Sequence, residues 1–146
     1  HRRRRRQHLV CGSDDERGRL LAEAGPSPAL VDLVSCLVVP YAALLDDPSS
    51  RAYLRIVAQL RGRFAAWRVE SDAATTQHLA AILDRIEAMP SAPPAVRRER
   101  VVALIMLLTS TVADRARRID DGTGNDLDHA AFVANLAAMG AAIITA

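Results

Sequence analysis

A chain of 146 residues is long enough for one domain with a real core. Half of it is hydrophobic but only 3% is aromatic, so its apolar content is mostly Ala, Leu, Val and Ile, which favours packed helices over a β-sandwich. The net charge is +2, yet the arginines at 2–6 supply +5 and leave the remainder at −3, so the basic character belongs to the start of the chain and not to the fold.

No apolar run is long and uniform enough to span a bilayer. The charged start lacks the apolar stretch and cleavage site of a signal peptide. Cys11 and Cys36 do not make a disulfide framework, and Cys36, inside an apolar run, is expected to be a buried reduced thiol. A cytoplasmic protein without a membrane partner is expected. Every Lys or Arg position is arginine, and alanine is abundant, as in GC-rich bacterial genomes. The chain begins with His1 rather than Met, so further sequence is expected upstream.

In chain order, residues 1–10 read as the end of a helix that CGSDDERGRL interrupts, with Ser13 or Asp14 capping a short turn. AGPSP ends that element and opens the next. In PALVDLVSCLVVPYAALLDD, Leu30, Val34, Leu37, Tyr41 and Leu44 share a helix face, with Val31, Val38 and Leu45 beside them. Pro40 lies inside this helix and predicts a kink, because it removes the bond to the Cys36 carbonyl. After DDPSS, where Ser49 or Ser50 is the expected cap, RAYLRIVAQLRGRFAAW carries a stripe of Tyr53, Val57, Leu60, Phe64 and Trp67.

TQHLAAILDRIEAM predicts a helix with Leu79, Ile82, Leu83, Ile86 and Met89 on one face. PSAPP breaks it, and Pro94 suits the first turn of the longest helix, AVRRERVVALIMLLTSTVADRARRI. Two faces of that helix are apolar, which predicts burial on more than one side: Val101, Leu104, Ile105, Leu108, Val112 and Ile119 on one, Val102, Met106, Thr109, Ser110 and Ala113 on the other. DDGTGND lacks the acid an EF-hand needs five residues before its glycine, so it reads as a solvated loop with a helix cap at Asp126 or Asp128. The last helix, HAAFVANLAAMGAAIITA, has a stripe of Phe132, Leu136, Met139 and Ile143, while alanines and Gly140 allow another helix close approach. The pattern predicts an all-α bundle of about five or six helices.

No motif for an enzyme is present: there is no GxSxG, P-loop, GxGxxG or HExxH, and His1, His8, His78 and His129 are far apart. No catalytic residue, metal site or cofactor is assigned. The arginine run has no interleaved aromatic residue and no recognition helix beside it.

The long helix ending ADRARRI, its polar loop and FVANLAAMGAAI resemble the C-terminal end of TetR-family transcriptional regulators. LVDLVSCLVVPY, SRAYLRIVAQL and the PSAPP break resemble the earlier regulatory helices of the same family. The family's N-terminal helix-turn-helix domain has no counterpart in this chain. The resemblance implies that residues 1–12 are the end of a connector helix below a missing DNA-binding domain, and that residues 13–146 form a ligand-binding and dimerisation domain.

It further implies a homodimer in which the last two helices of each subunit form a four-helix bundle, with Leu104, Leu108, Phe132, Leu136, Met139 and Ile143 at or near the contact. It implies a cavity for a small apolar effector that controls operator binding allosterically. Candidate lining residues are Leu37, Val38, Tyr41, Leu54, Val57, Trp67, Met106, Thr109 and Ser110, with Tyr41, Thr109 and Ser110 as hydrogen-bonding groups in an apolar wall. The function expected on this basis is that of a transcriptional repressor's sensing part. The alternative is a helical protein–protein interaction module with no small-molecule ligand.

Overall fold

The computed structural model describes residues 2–59 and 77–146, with side chains described from Ser13 onward in the first helix. All the regular structure among them is helical. Helix α1 (Arg2–Ala24) runs straight through CGSDDERGRL, where the sequence predicts a break. Gly12 and Ser13 are weak helix formers, but two effects outweigh them. Arg19 bridges Glu16 and Glu23 along the helix surface, and Leu20, Leu21 and Ala24 dock on the core. Gly25, at φ +82°, turns the chain out of the helix, and Pro26 prevents its resumption.

Asp14 caps a helix, but not its own. Its buried carboxylate accepts the backbone N–H groups of His78 (3.2 Å) and Leu79 (3.0 Å), the first turn of a helix more than sixty residues later. Arg17, also buried, donates from Nε to the same carboxylate at 3.1 Å. Gly18 completes this contact: a Cβ there would stand 2.6–2.8 Å from the His78 imidazole.

Helix α2 (Leu30–Ala43) packs against α1 and three later helices, so it is covered on several sides. Leu33, Val34, Cys36, Leu37, Val38, Pro40 and Ala42 are buried, whereas Val31, placed by periodicity beside the buried face, is exposed. Cys36 lies in the core, where burial first and the Asp32 carboxylate second push its thiol pKa up. A 3-10 turn (Leu44–Asp46) leads to helix α3 (Pro48–Gln59). The cap of α3 is Asp47 rather than Ser49 or Ser50: its Oδ2 accepts from the Ser50 N–H at 2.8 Å. Pro48 fills the first helical position, which moves the cap back by one residue or more. Leu54 is the fully buried residue of α3, with Tyr53 and Val57 half-buried beside it. The rest of the predicted stripe, Leu60, Phe64 and Trp67, lies outside the described residues.

Helix α4 (Gln77–Ala88) buries Ile82, Leu83 and Ile86 and packs on α1, α2 and the long helix. That helix, α5 (Pro94–Asp121), starts with Pro94 at its first position, as expected, and ends on Gly122 in the left-handed conformation, φ +66°. The Thr123 N–H reaches back to the Arg118 carbonyl and the Gly122 N–H to that of Ile119, which satisfies the last turn. Arg51 of α3 ties the two helices: Nε donates to Asp120 at 2.7 Å and Nη1 to the Leu45 carbonyl at 2.8 Å.

The 122–128 loop is exposed apart from Asn125, which is half-buried. Arg115 closes it by donating to the Leu127 carbonyl at 2.9 Å while its guanidinium stacks 4.4 Å from the centre of the Phe132 ring. Asp128 then caps helix α6 (His129–Ile144) by accepting from the Ala131 N–H at 2.8 Å. Asp128→Ala removes that acceptor and is expected to cost about 0.5–2 kcal/mol, read as a lower urea midpoint with an unchanged slope. Helix α6 wedges between α2 and α5. At Gly140 a Cβ would stand 2.8 Å from both Leu104 Cδ1 and Val34 Cγ1, so only glycine permits this approach without repacking. No helix among the described residues is long and apolar enough to cross a membrane.

Candidate functional site

Two places combine unusual chemistry with a fold-built position: the interior around Tyr41, and the outer seam between α5 and α6. Pro40 supplies no N–H to the Cys36 carbonyl, so the α2 ladder loses one bond immediately before Tyr41. The Tyr41 ring packs against the core, and its Oη is buried without a hydrogen-bond partner among the described residues. Leaving such a group unpaired costs about 1–3 kcal/mol.

Burial pushes the Tyr41 pKa well above the ordinary phenol value of 10.0, and Tyr53 adds to the effect. The hydroxyl therefore keeps its proton and is a hydrogen-bond donor at neutral pH. The sign of the linked stability follows. Above about pH 10 the unfolded tyrosine ionises while the folded one resists, so stability present at lower pH is lost as pH rises further.

Of the nine candidate lining residues, Leu37, Val38 and Leu54 are core residues at 5%, 1% and 0% exposure, and Tyr41 packs beside that core. Thr109 is buried too, but its hydroxyl donates to the carbonyl of Ile105 in its own helix at 2.9 Å, so it is satisfied locally. Val57 and Ser110 are half-buried. Met106 is 44% exposed and stands apart from the interior group. Trp67 lies outside the described residues.

The six residues assigned to the subunit contact divide by depth. Leu104 and Leu136 have no exposure, and Leu108 and Phe132 are buried as well. These four build the subunit's own core, because Gly140 draws α6 tightly against α5 and α2. Met139 at 38% exposure and Ile143, half-buried, face outward along the seam.

That seam contains an open groove of about 650 Å³. Ala95, Val96 and Ala103 of α5 and Ile143 of α6 give it apolar walls, with Arg98, Glu99 and Arg100 on its rim. Arg100 donates to the Ile144 carbonyl at 3.1 Å and to that of Ala146, which pins the end of α6 to α5. Beyond the groove the outer surface continues apolar: Val102 and Met106 are exposed one turn apart on α5, and Ala134, Ala138, Met139 and Ala142 are exposed on α6. Helix α6 carries no Asp, Glu, Lys or Arg along its whole length. Sequence reasoning put Phe132, Leu136, Met139 and Ile143 in one stripe, which the structure divides between inside and outside, and it did not single out the exposed alanines beside Met139, although the absence of charge from sixteen residues was a legible signal.

A smaller cleft of about 280 Å³ lies between the end of α4 and the first turn of α5. Asp84, Glu87, Arg97 and Arg98 line it with balanced charge, which gives no net attraction for an ion. Comparison with family models, with curated proteins and with solved structures gives no match.

Proposed function

We propose that the chain is the effector-sensing and dimerisation part of a TetR-like, cytoplasmic transcriptional repressor, which binds a small apolar ligand and controls operator DNA through a domain not present in this chain. The observation that carries the sensing part is the Tyr41 hydroxyl: a buried proton donor without a described partner, next to a proline that breaks the helix ladder. A neutral, mostly apolar ligand with one hydrogen-bond acceptor suits such a group. Leu37, Val38 and Leu54 supply apolar surface in the same region.

Dimerisation is supported by the outer seam. An uncharged helix of sixteen residues with Met139 and its alanines in water is normally covered. An isologous contact of the α5–α6 faces covers them and forms a four-helix bundle. Met139 and Ile143 are the contact residues this arrangement keeps from the original six, with Val102 and Met106 added from α5. Leu104, Leu108, Phe132 and Leu136 stiffen the seam from beneath.

The sensing reading is tested with Tyr41→Phe. The variant removes a hydroxyl without a described partner, so the ligand-free fold is expected to be unchanged or slightly more stable, while affinity for a co-purifying apolar ligand falls about 5- to 13-fold, the loss of a hydrogen bond worth about 1–1.5 kcal/mol. Unchanged affinity by calorimetry removes Tyr41 from the ligand site. A second reading, a helical module that docks a different protein, draws on the same exposed seam; it predicts a monomer that carries no small molecule.

A further inference from the structure

The chain holds three methionines, Met89, Met106 and Met139. None is in the core, which Leu, Ile and Val dominate; they are 47%, 44% and 38% exposed. Methionine elsewhere serves as a flexible filler of core gaps. Here every thioether stands where water and small oxidants reach it.

Two of the three share one face. Helices α5 and α6 run antiparallel, with Gly140 against Leu104 and Arg100 reaching the Ile144 carbonyl. In this register Met106 and Met139 stand at nearly the same height of the outer seam, one on each helix. The seam around them carries no ion: α5 from Val101 to Ala113 and the whole of α6 lack Asp, Glu, Lys and Arg. Met89 follows the end of α4 and is on neither helix of the seam. Cys36 offers no competing target there, because its thiol is buried in the core and burial holds it in the protonated form.

A hydroperoxide turns an exposed thioether into a sulfoxide. The sulfur lone pair attacks the outer peroxide oxygen, the O–O bond breaks, and the proton passes to the departing oxygen, which leaves hydrogen peroxide as water. Sulfur gains one oxygen and loses two electrons, and the peroxide gains them. In a free subunit water solvates the new S=O group. Closing an apolar seam over it removes that water, and each unsatisfied polar group costs about tenfold in association.

We propose that Met106 and Met139 are oxidation sites that regulate the pairing of two copies of this chain: a hydroperoxide oxidises them in the free subunit, and the sulfoxides prevent the seam from closing. The inference rests on the dimeric reading of the α5–α6 seam. Pairing covers both sulfurs, so the dimer shields them and the separated subunit does not. Met89, outside the seam, reacts in either state. Methionine sulfoxide reductases, one for each sulfoxide epimer, restore pairing.

The test treats the full chain with hydrogen peroxide, clears thiol oxidation with dithiothreitol, and reads peptide mass spectra and sedimentation. One added oxygen on each of Met106 and Met139 is expected to raise the dimer dissociation constant at least about 100-fold. The two reductases together reverse the change. The double variant Met106→Leu with Met139→Leu keeps an apolar seam and is expected to stay dimeric under peroxide, whereas Met89→Leu dissociates like the parent chain. Far-UV circular dichroism shows that the oxidised protein keeps its helices. A protein that carries both sulfoxides and still pairs overturns the proposal and leaves the dimer standing. So does dissociation of the double leucine variant, dissociation that comes only with loss of helical signal, or failure of Met106 and Met139 to oxidise in dilute, dissociated protein. An untreated chain that stays monomeric at high concentration contradicts the dimer itself, and the proposal with it.

Discussion

Leu136→Arg is expected to unfold the subunit outright. Leu136 has no exposed surface and lies in the core cluster with residues of α2 and α5. The substitution removes a buried leucine, worth about 1.5–3 kcal/mol. It also drives a guanidinium into the interior, at an effective cost of several kcal/mol. The buried carboxylate among the described residues, Asp14, is already engaged by Arg17 and α4 and is not available as a partner. Together these terms consume most of the roughly 5–15 kcal/mol that stabilises a domain. The measurement is far-UV circular dichroism with sedimentation: loss of the cooperative melt is expected. Met139→Arg, three residues along on the exposed seam, is expected to keep the fold and its melt while turning a dimer into a monomer. A folded, monomeric Leu136→Arg protein shows instead that Leu136 belongs to the subunit contact and not to the core.

The second large effect is expected at Asp14. Asp14→Ala removes the acceptor for two backbone N–H groups of α4 and leaves the buried Arg17 guanidinium without its ion-pair partner. Breaking a buried pair from one side costs about 3–5 kcal/mol. In urea the midpoint falls accordingly. The loss is shared, so removing Arg17 as well recovers part of it: the double variant Asp14→Ala with Arg17→Leu is expected to be more stable than Asp14→Ala alone. A drop below about 1 kcal/mol, with no coupling in the cycle, means that α4 finds another cap and that α1 is not anchored there.

These two positions also show which parts of the structure are legible in the sequence. The all-α architecture follows from local periodicity, and so do the caps written in adjacent residues, Asp128 before α6 and Pro94 at the start of α5. Asp14 was recognisable as a capping residue, but the helix it caps begins at Gln77. No local pattern links an acid to an N–H group more than sixty residues away. The predicted break in α1 failed for the same reason. Propensity at Gly12 and Ser13 was read locally, whereas docking of Leu20, Leu21 and Ala24 decides the outcome.

The candidate site is only partly legible. Periodicity finds Leu37 with Val38 beside it, but on α3 it selects Tyr53 and Val57 and passes over the fully buried Leu54, which only the family resemblance named; nor can it distinguish a packed interior from one built to receive a ligand. Pro40 beside Tyr41 marks the position, and the unpartnered Oη emerges only in three dimensions. For α6, the stripe of Phe132 and Leu136 is the strongest apolar signal, so it invites assignment to a partner subunit. The close approach at Gly140 uses that stripe within the subunit, and the weaker pattern of Met139 with Ala134, Ala138 and Ala142 is left to the outside.

Native mass spectrometry on the purified chain tests the central claim most directly, with gentle and then strong activation. The predicted result is a dimer of twice the 15.8 kDa subunit mass that sheds a small molecule as activation rises. A ligand-free monomer at 15.8 kDa contradicts both the sensing role and the paired α5–α6 seam.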